Sequence, residues 1–167
     1  MPLILSADST NIVKWWINES YRIHPDARSQ TGGTASLVKV SFISTSIKQR
    51  LNTRSSTETE LVAADDLMPH LCWTNYFLEC QGYNINSIIT YQDNQSAILL
   101  ENNGRASSYK RTKHLNIRYF FITNLINKGD LHIEYCPTDN MVVDFFTKPL
   151  QGKKILQFRK LIMNLQD

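Results

Sequence analysis

The run Ile88-Ile89-Thr90-Tyr91-Gln92-Asp93-Asn94-Gln95-Ser96-Ala97-Ile98-Leu99-Leu100 narrows the possible folds more than any other stretch. Its first part is β-branched and aromatic, as in a strand, and its last part has helical periodicity. A strand therefore passes almost directly into a helix, with Asp93 at the junction. An acid at the end of a strand projects its carboxylate at the rim of a sheet, where α/β proteins place metals and ligands. An Asp there also serves as an ordinary helix N-cap, and the junction alone does not separate the two.

Other acids occupy comparable places. Ser55-Ser56-Thr57-Glu58-Thr59-Glu60-Leu61 sets cap residues and two acids before a long apolar-periodic run. Asp144 lies in Met141-Val142-Val143-Asp144-Phe145-Phe146, flanked by bulky apolar residues, on a segment that reads as a helix over 140–146. A carboxylate on a largely buried helix needs a cation or hydrogen-bond donors to offset its desolvation. One divalent metal would serve several such acids at once.

The remaining elements follow in order. Residues 11–17 read as a strand, and residues 31–38 and 40–46 as a hairpin around Lys39. Gly32-Gly33 lets the second strand bend or approach a neighbour closely. Ser55 or Ser56 caps a helix running to about Gln81, stopped by Gly82 and kinked or divided at Pro69. Leu61, Ala64, Leu67, Leu71 and Leu78 form its core stripe, with Trp73 and Phe77 flanking. Strand 85–91, helix 94–101, a polar loop, helix 112–127, strand 131–135 and a final helix over 152–164 complete the chain. This pattern predicts an α/β fold, a mixed sheet with helices on both faces. One domain spans 1–167, with 1–10 as a lead-in and 152–167 as a C-terminal helix.

Composition excludes several classes. No apolar run approaches the roughly 20 residues of a membrane span, and no secretory signal is visible in Met1–Leu5. Three cysteines, Cys72, Cys80 and Cys136, form no Cys-x-x-Cys pair. That pattern argues for an intracellular setting and against a zinc site. Net charge is +3, unevenly spread. Residues 102–129 carry no acid but include Arg105, Lys110, Arg111, Lys113, Arg118 and Lys128, an asymmetry suited to a polyanionic partner or to solvated helix faces.

Four motifs together resemble the ribonuclease H domain of copia-type retrotransposon polyproteins. They are Arg54-Ser-Ser-Thr-Glu-Thr-Glu60, Tyr91-Gln-Asp-Asn-Gln-Ser-Ala97, Arg111-Thr-Lys-His-Leu-Asn-Ile-Arg118 and Phe146-Thr-Lys-Pro-Leu150. The resemblance runs from about Thr10 to the C-terminal helix. It implies a ribonuclease H-like fold with a five-stranded mixed sheet, the first three strands antiparallel. It also implies endonucleolytic hydrolysis of the RNA strand of RNA–DNA hybrids with two Mg2+, Mn2+ being a possible substitute. Glu60, Asp93 and Asp144 take the second, third and fourth acid positions. Glu58 is a rival to Glu60, which lies further into the helix, where the family has its acid.

The first acid position, an Asp in the family, is Asn18 here, so this form is expected to bind substrate but turn over weakly or not at all. Glu19 is not expected to substitute, because neighbouring strand residues face opposite ways. The basic segment Arg105, Lys110, Arg111, Lys113, His114 and Arg118 suits backbone phosphates, His114 being equally readable as structural. Ser44, Thr45, Ser46, Asn94 and Gln95 are candidate groove or backbone donors. The implied partners are an RNA–DNA hybrid and the reverse transcriptase portion of the polyprotein, with the isolated domain a monomer. Two alternatives stay open: a catalytically dead hybrid-binding module, and a ribonuclease H-like DNA nuclease of the transposase type.

Overall fold

The computed structural model describes residues 10–37, 40–104 and 116–165, the last range without the side chains of 116–119. Five strands form one sheet: β1 (Ile12–Ser20), β2 (Gln30–Ser36), β3 (Ser41–Lys48), β4 (Ser87–Gln92) and β5 (Leu131–Tyr135), in the order β3-β2-β1-β4-β5. The first three are antiparallel neighbours, whereas β4 runs parallel to β1 and β5 parallel to β4. The helices are α1 (Ser56–Cys80), α2 (Gln95–Asn103), α3 (Asn116–Lys128), α4 (Asp144–Thr147) and α5 (Gly152–Met163).

Each parallel connection needs a crossover, and α1 supplies the one from the hairpin to β4. Its stripe of Leu61, Ala64, Leu67, Leu71 and Leu78 is buried, as its periodicity predicts. Most of that stripe packs with Val13, Trp15 and Ile17 of β1, Ile88 of β4 and Ile122 of α3. The opposite face of the sheet is closed by Cys136, Met141 and Val143 against Trp16, Tyr91 and Phe146. Helical segments thus cover both faces, and alternate residues of β1 point to different cores.

Three local expectations need correction. Of the two outcomes expected at Pro69, a kink or a division, the division does not occur, since α1 is continuous from Ser56 to Cys80. Trp73 and Phe77 do not flank the core but are exposed, with their rings stacked on each other at 5.2 Å. The helix expected over 140–146 is a 3₁₀ turn at Thr138–Asn140 followed by the single-turn α4. Asp144 therefore opens a helix instead of sitting inside one.

The two glycines of β2 are explained by what lies above and below them. A Cβ on Gly33 would come within 2.5 Å of Leu67 Cδ1 on α1. A Cβ on Gly32 would run into the Thr147 methyl of α4 from the other side. The bare backbone lets both helices sit close to the sheet. Gly33→Ala should cost about 1–3 kcal/mol by overpacking, with a cooperative unfolding curve retained. A thermal or urea melt indistinguishable from the parent's would show that Leu67 can yield.

Candidate functional site

The carboxyl ends of β1 and β4 lie side by side, and their parallel pairing stops at Trp16 and Tyr91. Beyond it β1 continues to Ser20, paired only with β2, and β4 runs into Asp93 and the start of α2. Asn94, not Asp93, caps α2: its side chain accepts from Ala97 N at 3.1 Å. Asp93 is thereby left free of capping, and its Oδ2 accepts from Thr138 Oγ1 at 3.1 Å.

Glu60 reaches the rim from α1. Ser55 caps that helix by accepting from Glu58 N at 3.2 Å, and Glu58 turns back to accept from Arg54 N at 2.8 Å. This reciprocal arrangement uses Glu58 at the helix end. Glu60, half a turn further on, is 1% exposed, and its Oε1 has no hydrogen-bond partner. Burial drives its pKa well above the usual carboxylate value, helped by the negative charges of Asp93, Glu19 and Glu101 and opposed by Lys148.

Asp144 approaches from the other face of the sheet. Asn18 Nδ2 donates to its Oδ1 at 2.5 Å, Lys148 Nζ lies 2.7 Å from the same oxygen, and Lys154 Nζ lies 3.6 Å from Oδ2. Asn18, Asp144 and Glu60 are all buried. The shallow cleft above them is lined by Asn18, Glu19, Asp93, Asn94, Gln95 and Lys148. The arrangement is a rim of carboxylates entering from both faces of the sheet, with a lysine ammonium among them. Among the described residues, no three His, Cys, Asp or Glu side chains are gathered closely enough to hold an ion as they stand.

No family model matches the chain. It is 30% identical over 108 residues to the Pol polyprotein of transposon TNT 1-94 from Nicotiana tabacum, covering 65% of this chain and 8% of that protein. It is 30% identical over 116 residues to the Pol polyprotein of transposon RE2 from Arabidopsis thaliana, covering 69% of this chain and 8% of that protein. Among solved structures it is similar to LC11 ribonuclease H1, isolated from compost, with a TM-score of 0.60 at 13% identity. That match covers 82% of this chain and 93% of the other. The same protein in complex with an RNA/DNA hybrid gives 0.58 at 10% identity, over 81% and 93% of the two chains. The chain has a ribonuclease H-like fold and is related to one segment of plant retrotransposon Pol polyproteins. It corresponds to about a twelfth of the length of those relatives, since each match covers 8% of them.

Within this fold, Asn18 and Asp93 line the cleft, Asp144 bonds Asn18 beneath it, and Glu60 is buried close enough to Asp93 to feel its charge. The other expected contacts fare differently. Ser44 and Ser46 are exposed on β3, but Ser46 Oγ donates to Phe146 O at 2.6 Å and accepts from Gln30 Nε2 at 2.8 Å, so its hydroxyl is used inside the fold. Thr45 is half-buried and faces the other way, its methyl group lying beside Gly33. Asn94 and Gln95 line the cleft. Arg105, Lys110, Arg111, Lys113 and His114 lie outside the described residues, and so does the side chain of Arg118.

Residue-by-residue reading missed three members of the site. Lys148 is one turn along α4 from Asp144, a spacing that pairs opposite charges on a helix, and that was the available signal. Glu19 was set aside on strand alternation, yet its carboxyl is pushed up to about 7 by burial, with Lys148 opposing and Asp93 adding to the shift. Glu101 of α2 is fully buried, with Gln92 Nε2 donating to its Oε1 at 3.3 Å and its Oε2 unpartnered. Burial raises its pKa to about 8, against the lowering effect of the Gln92 bond. Nothing in the local pattern Leu99-Leu100-Glu101-Asn102 marks that acid as interior.

Proposed function

We propose that this domain hydrolyses the RNA strand of RNA–DNA hybrids endonucleolytically, as part of an intracellular reverse transcriptase polyprotein, with Glu60, Asp93 and Asp144 as its working acids. The observation that carries the proposal is that α1, the end of β4 and the start of α4 bring Glu60, Asp93 and Asp144 toward the end of β1 where Asn18 lies, Asn18 bonding Asp144 and lining one cleft with Asp93. The relative solved with a hybrid bound supports the substrate class.

The donor set is chemically suited to magnesium or manganese, which prefer oxygen ligands. Glu60 supports the fit, because a buried carboxylate oxygen with no donor calls for either a proton or a cation. Glu60, Asp93 and Asp144 would hold two such ions, whose role when bound is to activate water and neutralise charge on the phosphate. What the chain itself contributes is positioning: Thr138 orients Asp93, and α4 delivers Asp144 beneath the cleft. Asn94 and Gln95 at the cleft edge and the basic segment 105–118 would grip the phosphate backbone without reading sequence. Such an arrangement needs only one copy of the chain.

One observation favours a second reading, a hybrid-binding module without turnover. Asp144 is engaged by the Asn18 amide and the Lys148 ammonium, two groups that replace what a metal would give it. Strand selectivity decides among the readings. A hybrid labelled separately on each strand should lose only full-length RNA when incubated with the Asn18→Asp form and magnesium. Shortening of the DNA strand, or of neither strand at any manganese concentration, would overturn the ribonuclease proposal.

A further inference from the structure

We infer that Lys154, in the first turn of the C-terminal helix α5, is a positioning residue that holds Asp93 and Asp144 in place relative to each other. The inference rests on the nuclease reading above and adds to it a residue from an element that carries none of the acids. The stretch between β5 and α5 consists of the 3₁₀ turn at Thr138–Asn140 and the single-turn α4. Elements so short do not hold their own shape. Two acids nevertheless depend on this stretch. Its α4 carries Asp144, and Thr138 Oγ1 donates to Asp93 Oδ2 at 3.1 Å. Keeping the two carboxylates in register requires a group that ties the turn to the helix.

Lys154 touches both. Its ammonium donates to Thr138 O at 3.3 Å and lies 3.6 Å from Asp144 Oδ2. Asn18 and Lys148 occupy Asp144 Oδ1, so Lys154 serves the other oxygen of that carboxylate. Asp139, 3.9 Å away, is fully exposed and adds little. The ammonium also lies 5.3 Å from the centre of the Phe158 ring, one turn along α5, and Phe158 is fully buried. The link therefore starts at a core residue, passes to Lys154, and divides between Asp144 and the turn that orients Asp93. Because Lys154 acts on Asp93 through Thr138, its loss should disturb an acid with which it forms no ion pair. A lysine that merely solvates a helix face would have no such effect.

The test is the carboxyl 13C spectrum of the metal-free parent, read at Asp93 and Asp144. Lys154→Met keeps the aliphatic stem over Phe158 and removes the ammonium. It should shift both resonances, and the Asp93 shift should vanish when Thr138→Val is already present. Lys153→Met, at the exposed neighbouring position, should shift neither. In the Asn18→Asp form with magnesium, Lys154→Met should lower kcat on a labelled hybrid about tenfold, with KM held within about twofold. Lys154→Arg keeps the charge and its donors and should recover most of that loss. Near-ultraviolet circular dichroism checks folding, and Lys154→Gln replaces Lys154→Met should the latter fail to fold. An Asp93 resonance unmoved by Lys154→Met overturns the assignment. So does a rise in KM at constant kcat, which would make Lys154 a phosphate contact, or an equal loss of kcat from Lys153→Met. Absence of cleavage by the Asn18→Asp form sinks the nuclease reading alone, since the carboxyl spectrum still decides whether Lys154 holds the two acids.

Discussion

Replacing Asn18 with Asp should raise cleavage of the RNA strand of a hybrid by at least about a hundredfold in magnesium, equivalent to ~2.7 kcal/mol of barrier. In the present chain the Asn18 amide donates to Asp144 at 2.5 Å, holding that carboxylate by hydrogen bond. An Asp has the same shape but cannot donate when ionised, so the contact becomes repulsive unless a cation stands between the two. The substitution thus exchanges a self-contained pair for a pair that requires metal. It should destabilise the metal-free protein while making its melting temperature strongly dependent on magnesium. Initial rates on a labelled hybrid, for parent and variant at matched metal concentration, measure the effect. Equal rates would mean that position 18 is not part of the reacting centre.

The second large effect concerns pH. Glu101, with its pKa raised to about 8, and Glu19, at about 7, both start from 4.5. Each binds its proton more tightly in the folded chain than in the unfolded one. Stability from this source is complete below the unfolded value near 4.5 and is lost as pH rises through the folded values near 7 and 8. Glu60 shifts in the same direction. The metal-free domain should accordingly melt lower at alkaline than at mildly acidic pH, by several degrees if the loss reaches a few kcal/mol. Glu101→Gln removes the acid but keeps a polar side chain beside Gln92, so it should flatten the decline and raise stability at alkaline pH. A melting profile as steep as the parent's would show that Glu101 is not the group responsible.

Much of this architecture was legible in the chain. β-branched and aromatic runs, together with cap and glycine stop signals, placed all five strands and four of the five helices. Glu60 was separable from Glu58 only through its family position; the structure adds the physical reason, a cap that turns Glu58 backwards. Asp144 was misplaced within its helix because Val142, Val143, Phe145 and Phe146 look helical, whereas the chain makes a turn there first. Strand alternation sends Glu19 to the face opposite Asn18, yet at the end of β1 both residues line the cleft. Glu101 left no local trace at all, because its burial depends on Gln92 and Thr123, nine and 22 residues away.

The four-residue α4 is too short to be stable as a helix by itself. It is seated by Gly32 beneath Thr147 and by Ser46 bonding Phe146 O across 100 residues of chain. The outer hairpin, laid down early in the sequence, therefore acts as an anvil for an acid that arrives last. Any change that tilts β2 or β3 will be felt as a misaligned Asp144, even though neither strand carries a carboxylate.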